Sequence, residues 1–275
     1  MAQIISDTYG KTRVRLTYVD RTRGVHEVRE LSVAVMLEGD FAAAYTSGDN
    51  SQVLPTDTMK NTVYVLARKL NWDSIEALAQ GLADHFLERL PQVSQVSVEI
   101  EQIPWQPLGG RGAAFVQASK EHRTTRLEAS RKGGALRSGV RHLQIMKTAD
   151  SAFSGFLKDD LTTLPETQDR LFATVLEAEW LYSSRDVSCN ESHTQIRTIL
   201  LDCFAEHKSL SVQQTLFAMG AAVLEKVQSI AEIHLLMPNK HCLWVDLTRF
   251  GLDNPNMIFV PTDEPSGYIE ARIGR

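Results

Sequence analysis

Histidine and cysteine are the residues of this 275-residue chain that could bind a metal or act as nucleophiles. The three cysteines are odd in number and far apart, and no two of the eight histidines stand three or four residues apart. This spacing predicts reduced thiols, with neither a disulfide framework nor a structural zinc clamp. The set comprises Cys189, Cys203 and Cys242 with His26, His85, His122, His142, His193, His207, His234 and His241.

The motifs of the commonest nucleotide, zinc-protease and hydrolase sites are absent from the sequence, so no cofactor is predicted. A net charge of −5 argues against a nucleic-acid partner. No apolar run approaches the roughly 20 residues that cross a bilayer, so no membrane association is predicted. The first seven residues do not resemble a secretory signal, and we therefore expect a cytoplasmic protein.

The first half of the sequence reads as two strands, two helices and two strands. Alternating apolar residues predict the strands, and apolar residues at helical spacing predict the helices. Thr58 looks like a helix cap, residues 73–76 look like a capping box, and a long loop ends at Pro55. The predicted strands are 12–19, 31–37, 96–101 and 114–116, with a hairpin loop at 20–24, and the predicted helices are 58–69 and 73–90.

The second half repeats this order after a polar, basic stretch. Residues 119–139, which contain Gly133 and Gly134, are interpreted as an exposed connector, with an anion-binding patch as the alternative. Ser211 and Gln214 form a capping box. The predicted strands are 140–147, 171–182, 230–237 and 241–247, and the predicted helices are 192–204 and 211–223.

Two copies of one element order indicate a duplicated α+β fold, with domains at 1–137 and 138–275. Each domain is expected to be an antiparallel sheet covered on one face by two helices. Because open four-stranded sheets leave unpaired edges, we expect them to close into barrels by oligomerisation.

Segments spread over nearly the whole chain resemble the urate oxidase (uricase) family. They are Tyr9 to Lys11, Thr56 to Thr62, Ser151 to Leu157, Thr162 to Leu164, Asp169 with Arg170, Ser211 to Gln213, and Pro238 to His241. The resemblance implies two tandem tunnelling-fold domains of order ββααββ. It also implies a homotetramer around a through-barrel, with active sites at the subunit interfaces.

The same resemblance implies cofactor-free oxidation of urate by O2 to 5-hydroxyisourate and hydrogen peroxide. Arg170 and Gln213 would grip opposite edges of the flat purine anion, since a guanidinium offers a planar fork of donors and an amide both donates and accepts. Phe153 would supply an aromatic face. Val212 and Ile269 match positions that line the family's pocket.

A proton relay is also implied by the resemblance. Lys11 would act as the base through the hydroxyl of Thr56, and His241 would complete the relay. Thr56 and Asp57 would bind urate from the adjacent subunit. Asn239, together with Thr56, would hold O2, and then water, above the purine ring.

Two other functions stay open. One is a pterin or purine hydrolase of the same fold that uses zinc or a glutamate, and the other is an inactive purine-binding tetramer. The sequence departs from the family at residues 113–115, where a His-x-Phe segment is usual, at Ala149, where a hydroxyl is usual, and at Leu161, where an aromatic is usual. Residues 273–275 lack the peroxisomal address of eukaryotic relatives, which also favours the cytoplasm.

Overall fold

The structure is a computed structural model that describes residues 2–22, 24–109, 112–117 and 119–275. Arg23, in the predicted hairpin loop, lies outside these ranges. The strands are β1 (Tyr9–Asp20), β2 (Glu27–Gly39), β3 (Val93–Ile103), β4 (Gln106–Leu108), β5 (Ala114–Val116), β6 (His122–Ser130), β7 (Gly133–Lys147), β8 (Phe172–Tyr182), β9 (Ile230–Leu236), β10 (Asn239–Trp244), β11 (Phe259–Gly267) and β12 (Glu270–Gly274). The helices are α1 (Ala42–Thr46), α2 (Thr56–Lys69), α3 (Ile75–Arg89), α4 (Cys189–Glu206) and α5 (Val212–Lys226), with a 3-10 turn at Thr248–Phe250.

The chain forms two compact units, one of Met1–Gly139 with Leu181–Glu191 and one of Val140–Trp180 with Ser192–Arg275. In the first unit, β1, β2, β3 and β6 pair antiparallel in that order. Helices α2 and α3 pack on this sheet. The alternating apolar residues of β2, from Leu31 to Leu37, are completely buried, as their period of two predicts.

The second unit repeats this plan. Its sheet contains the end of β7 followed by β8, β9 and β12, and α5 packs on β9 and β12. The hairpin of β10 and β11 is an addition that pairs with β8 through Asn239 and Lys240. The predicted α+β class with antiparallel sheets is confirmed.

The fourth strand of each half was misassigned. The segments 114–116 and 241–247 do contain strands, but they belong to the hairpins β4–β5 and β10–β11. The fourth strands are β6 and β12, so the interpretation of residues 119–139 as an exposed connector is wrong. In β6 the buried residues Thr125, Leu127 and Ala129 alternate with partly or fully exposed polar ones, a weak apolar signal that the surrounding arginines obscured.

Helix starts differ from two predictions. Helix α2 begins at Thr56, so Thr58 lies inside the first turn and does not cap it, and the preceding loop contains the short helix α1. Ser74 caps α3 by accepting the N–H of Ala77, so the capping box assigned to residues 73–76 is wrong. Ser211 is confirmed as the cap of α5, because its hydroxyl accepts the N–H of Gln214. The Gln214 side chain accepts the N–H of Leu210, one residue before the position that a capping box requires.

An arginine closes the second helix of each unit in the same way. Arg131, directly after β6, donates to the carbonyls of Leu87 and Leu90 at the end of α3 and of Val93 at the start of β3. Arg275, directly after β12, donates to the carbonyls of Leu224 and Val227 at the end of α5 and of Ile230 at the start of β9. Each guanidinium thus joins the helix end to the strand that follows and lies at the negative end of the helix dipole.

A buried carboxylate organises the first unit. Glu76 of α3 is fully buried and accepts from Arg123 of β6 at 2.7 Å and from the hydroxyl of Ser138. Arg123 also donates to Asn190, whose amide donates to the carbonyl of Asp73. The basic patch expected around residue 123 is therefore partly neutralised by internal ion pairs.

Glu76→Ala is expected to lower the free energy of unfolding by about 3–5 kcal/mol, because it leaves the Arg123 guanidinium partly buried without its counter-ion. Urea denaturation followed by circular dichroism measures the change. Glu128→Ala is the matched control, since Glu128 pairs with Arg126 in solvent and its loss should cost less than about 1 kcal/mol. Equal effects of the two substitutions would contradict this interpretation.

No helix in the described ranges is both long and apolar enough to cross a membrane.

Candidate active site

In the first unit, the start of β1 lies beside the loop that enters α2. The hydroxyl of Tyr9 accepts the N–H of Leu54 at 3.0 Å, and the Tyr9 ring packs edge-on against Phe41 with centroids 4.7 Å apart. Burial raises the pKa of Tyr9. This contact holds the residues before Thr56 next to the segment that contains Lys11. The sequence offered Tyr9 only as part of a motif, because the hydrogen bond joins residues 45 positions apart.

Lys11 and Asp57 interact electrostatically at this end of the unit. Lys11 lies at a β-bulge, where one extra residue of β1 separates the pairs Lys11–Val35 and Val14–Val33. Asp57, in the first turn of α2, accepts hydrogen bonds from Lys60 and Asn61. Lys60, then Asn61 and last Lys11 lower its pKa. Because α2 packs on β1, the predicted residues Lys11, Thr56 and Asp57 lie on two adjacent elements.

Gly10 permits the close approach of β1 to β2 at the bulge. A Cβ at this position would lie 2.0 Å from the carbonyl oxygen of Val35 and 2.7 Å from the sulfur of Met36. The backbone oxygen cannot move aside without breaking the ladder. Any larger residue would therefore displace the adjacent Lys11.

We expect Gly10→Ala to destabilise the protein by about 1–3 kcal/mol through this overlap. Thermal unfolding would show it as a lower midpoint. Gly24→Ala is the control, because a Cβ at Gly24 meets nothing within 4 Å. Equal unfolding midpoints of the two variants would show that the close approach at Gly10 does not affect the stability of the fold.

The second unit contains a cleft of about 480 Å³ at the ends of β8 and β10. Four of the predicted site residues line it: Phe153, Arg170, Asn239 and His241. Asp169 and Thr167 also contribute to the wall. The cleft is of the size of ordinary small-molecule sites.

Arg170 and Phe153 form a cation–π pair in this cleft. The guanidinium carbon lies 5.1 Å from the centroid of the Phe153 ring. Burial lowers the pKa of Arg170, and its Nε is buried without a hydrogen-bond partner among the described residues. A buried donor without a partner costs free energy. A planar acceptor bound in the cleft would supply the hydrogen bond that Nε lacks.

Backbone hydrogen bonds link the Phe153 segment to Arg170. Phe153 and Thr167 exchange both backbone hydrogen bonds, and the Asp169 carboxylate accepts the N–H of Ser151 at 3.2 Å. Asp169 therefore fixes the spacing between Phe153 and the neighbouring Arg170. Its positioning role was not inferred from the sequence, where Asp169 appeared only as part of a motif.

The same segment is joined to the start of α5. Ala152 donates its N–H to the carbonyl of Ser209 at 2.8 Å, and the Ser209 hydroxyl donates to the carbonyl of the cap residue Ser211. Val212 and Gln213 then form the first turn, with Val212 buried and Gln213 exposed. Neither contributes to the cleft wall described above.

Asn239, His241 and Ile269 lie around the start of β10. Asn239 pairs with Thr174 of β8 and Gly267 of β11, and the register shifts between Asn239 and His241. The carbonyl of Ile269 accepts the N–H of Met237 at 2.8 Å. These residues, like Phe153, Arg170, Val212 and Gln213, belong to the second unit, whereas Lys11, Thr56 and Asp57 belong to the first.

A guanidinium with a free donor, an aromatic ring and an amide line one cleft, and the cleft wall is connected to a helix N-terminus. Such groups can hold a flat anionic heterocycle. A sequence model of the uricase family matches residues 7–128 and 136–270. The chain is 42% identical to the uricase of Arthrobacter globiformis over 97% of its own length and 88% of that protein. It is 39% identical to the uricase of Dictyostelium discoideum over 100% of its length and 98% of that protein.

The crystal structure of the Arthrobacter globiformis uricase has the same fold as this chain. The two superpose with a TM-score of 0.97 at 41% identity, covering 100% of this chain and 96% of the other. The chain belongs to the uricase family. The resemblance stated from the sequence motifs is thereby confirmed.

Proposed function

We propose that the chain is a cofactor-independent urate oxidase that converts urate, O2 and water into 5-hydroxyisourate and hydrogen peroxide. The observation that carries the proposal is the pair of Arg170 and Phe153 in the cleft, with a buried Nε that has no protein partner in the described structure. Family membership supports the same reaction.

Urate binding is assigned to Arg170 and Phe153 of the cleft together with Gln213, Val212 and Ile269, which lie outside the cleft wall of the single chain. Arg170 donates to neighbouring acceptors on one edge of the purine, and Gln213 donates and accepts on the other. Phe153 lies against the ring face, and Val212 and Ile269 are proposed as apolar contacts of urate in the assembled site. The N-terminus of α5 adds a partial positive charge that favours the urate anion.

Proton removal is assigned to Lys11, Thr56 and His241. Lys11 takes a proton through the Thr56 hydroxyl, and His241 completes the relay. We propose that the adjacent subunit of a homotetramer supplies Thr56 and Asp57 to the urate site. Support comes from the grouping of Thr56 and Asp57 with Lys11 in the first unit and of the purine-binding residues in the second.

Deprotonated urate is electron-rich, so it can reduce O2 directly. Asn239 holds O2, and its amide stabilises charge that develops on the reduced oxygen as peroxide forms. Water then takes the O2 position and adds to the oxidised purine, which gives 5-hydroxyisourate. The protein supplies proton transfer, positioning and a polar niche.

Barrel closure by the sheet edges and a cytoplasmic location belong to the same proposal. The free thiols of Cys189, Cys203 and Cys242 agree with a reducing compartment. The domain boundary between residues 137 and 138 stays a prediction.

The test is O2 uptake and peroxide release by the purified, chelator-treated protein with urate, together with the loss of urate ultraviolet absorbance. One O2 consumed and one peroxide released per urate would support the proposal. Turnover that needs added zinc and releases no peroxide would favour the hydrolase alternative. Urate that raises the unfolding temperature without being consumed would indicate the inactive purine-binding tetramer.

A further inference from the structure

The chain between Phe153 and Thr167 is here called the stacking loop. It begins and ends in the cleft wall, at two residues that pair with each other. Its ends are joined by two backbone hydrogen bonds of 2.8 and 3.0 Å. Within it, the ring of Phe156 stacks on Phe153, with centroids 4.8 Å apart and planes inclined by 15°. Phe153 is therefore contacted by a second aromatic ring as well as by Arg170.

Charged groups fix Phe156 in this stack. The ammonium of Lys158 lies 5.6 Å from the centroid of the Phe156 ring and pairs with Glu166 at 2.7 Å. The Glu166 carboxylate also accepts the N–H of Gly155. The pKa of Glu166 is lowered mainly by Lys158 and to a smaller extent by this N–H. These contacts connect the first residues of the stacking loop with its last ones.

The stacking loop takes its conformation from its own hydrogen bonds. The Asp159 carboxylate accepts the N–H of Leu161 and the hydroxyl of Thr162, each at 2.9 Å. The side chains of Leu157 and Leu161 are 89% and 87% exposed, so they do not anchor the loop in this chain. The loop residue that stacks on Phe153 is Phe156.

We propose that Phe156 is a positioning residue that fixes the Phe153 ring for urate, an inference that rests on the proposed function. A parallel ring at 4.8 Å restricts the rotation of Phe153 before the ligand arrives. The conformational entropy of the Phe153 ring is then lost when the protein folds, so ordering the ring does not oppose urate binding. Phe156 acts through Phe153 and does not contact the reacting atoms.

The experiment measures urate affinity by calorimetry without O2, so that no turnover occurs. Phe156→Leu should raise the dissociation constant of urate about 2- to 12-fold. This range is the free energy of one aromatic pair expressed as a ratio of dissociation constants. The turnover number in saturating urate and O2 should change less than the dissociation constant. Phe156→Tyr retains the ring and should retain affinity, as should Leu161→Ala, which alters the same loop away from the stack.

A double-mutant cycle separates positioning from a general structural effect. In a Phe153→Leu background, Phe156→Leu should weaken binding no further, because the ring that it positions is gone. Equal losses in both backgrounds, or unchanged affinity of Phe156→Leu alone, would overturn the proposal. If Phe156→Leu lowered the unfolding temperature, Phe156→Met would be measured in its place against the same criteria.

The two proposals fail differently. Urate binding by the unchanged protein without O2 uptake would overturn the urate oxidase assignment and leave the stack effect measurable. Failure of the unchanged protein to bind urate would overturn both.

Discussion

Lys11→Met is expected to lower the turnover number about 10²- to 10⁴-fold, the contribution of a positioned general base, with a smaller change in urate affinity. Thr56→Ala should have a comparable effect, because it removes the hydroxyl through which the proton passes. Steady-state O2 consumption gives the turnover number, and calorimetry without O2 gives the affinity.

Matched variants distinguish the relay from a change in local charge or packing. Thr56→Ser keeps the hydroxyl and should recover most of the turnover that Thr56→Ala loses. Lys69→Met removes a lysine from the last turn of α2 and should leave turnover unchanged. Full turnover by Thr56→Ala would show that the relay assignment is wrong.

Loss of the Arg170 fork is expected to weaken urate binding about 10- to 150-fold, since hydrogen bonds to charged groups contribute about 1.5–3 kcal/mol and each 1.4 kcal/mol is a factor of ten. Arg170→Lys should recover little of this affinity, because an ammonium keeps the charge but cannot present two parallel donors. Calorimetry on Arg170→Ala and Arg170→Lys measures both effects.

The fold should not suffer from Arg170→Ala. Its Nε is buried without a partner among the described residues, so its removal leaves no newly unpaired group there. We expect an unfolding midpoint equal to or above that of the unchanged protein, an exchange of stability for binding that functional sites show. Arg249→Ala is the control for binding, since Arg249 lies 5.2 Å from the Phe250 ring and contributes nothing to the cleft wall. Unchanged urate affinity in Arg170→Ala would refute the assignment of this residue.

Strong periodic signals in the sequence predicted most of the fold. The alternation in β2 and the apolar stripe of α3 are each buried as predicted, because a sheet face and a helix face must exclude water somewhere. Strand β6 was missed because its buried positions are Thr125, Leu127 and Ala129, which have little apolar contrast with their neighbours.

The site shows a similar limit. Motifs located four residues that line the cleft, Phe153, Arg170, Asn239 and His241, whereas the predicted Val212, Gln213 and Ile269 do not line it. Spacing along the chain could not reveal that Asp169 holds Ser151 or that Phe156 stacks on Phe153. Such contacts depend on how a loop closes in three dimensions. They carry no periodic pattern that a single sequence displays.

Arg131 and Arg275 bear on the ancestry of the chain. Each stands directly after the last strand of its half and donates to carbonyls at the end of the second helix and at the start of the strand that follows. The residues proposed for the reaction, by contrast, are not repeated: Lys11, Thr56 and Asp57 lie in the first half, whereas Arg170, Gln213 and His241 lie in the second. Descent from one ancestral repeat would explain both observations: two copies of the device that each repeat needs to fold were retained, while each repeat acquired different residues of one proposed site.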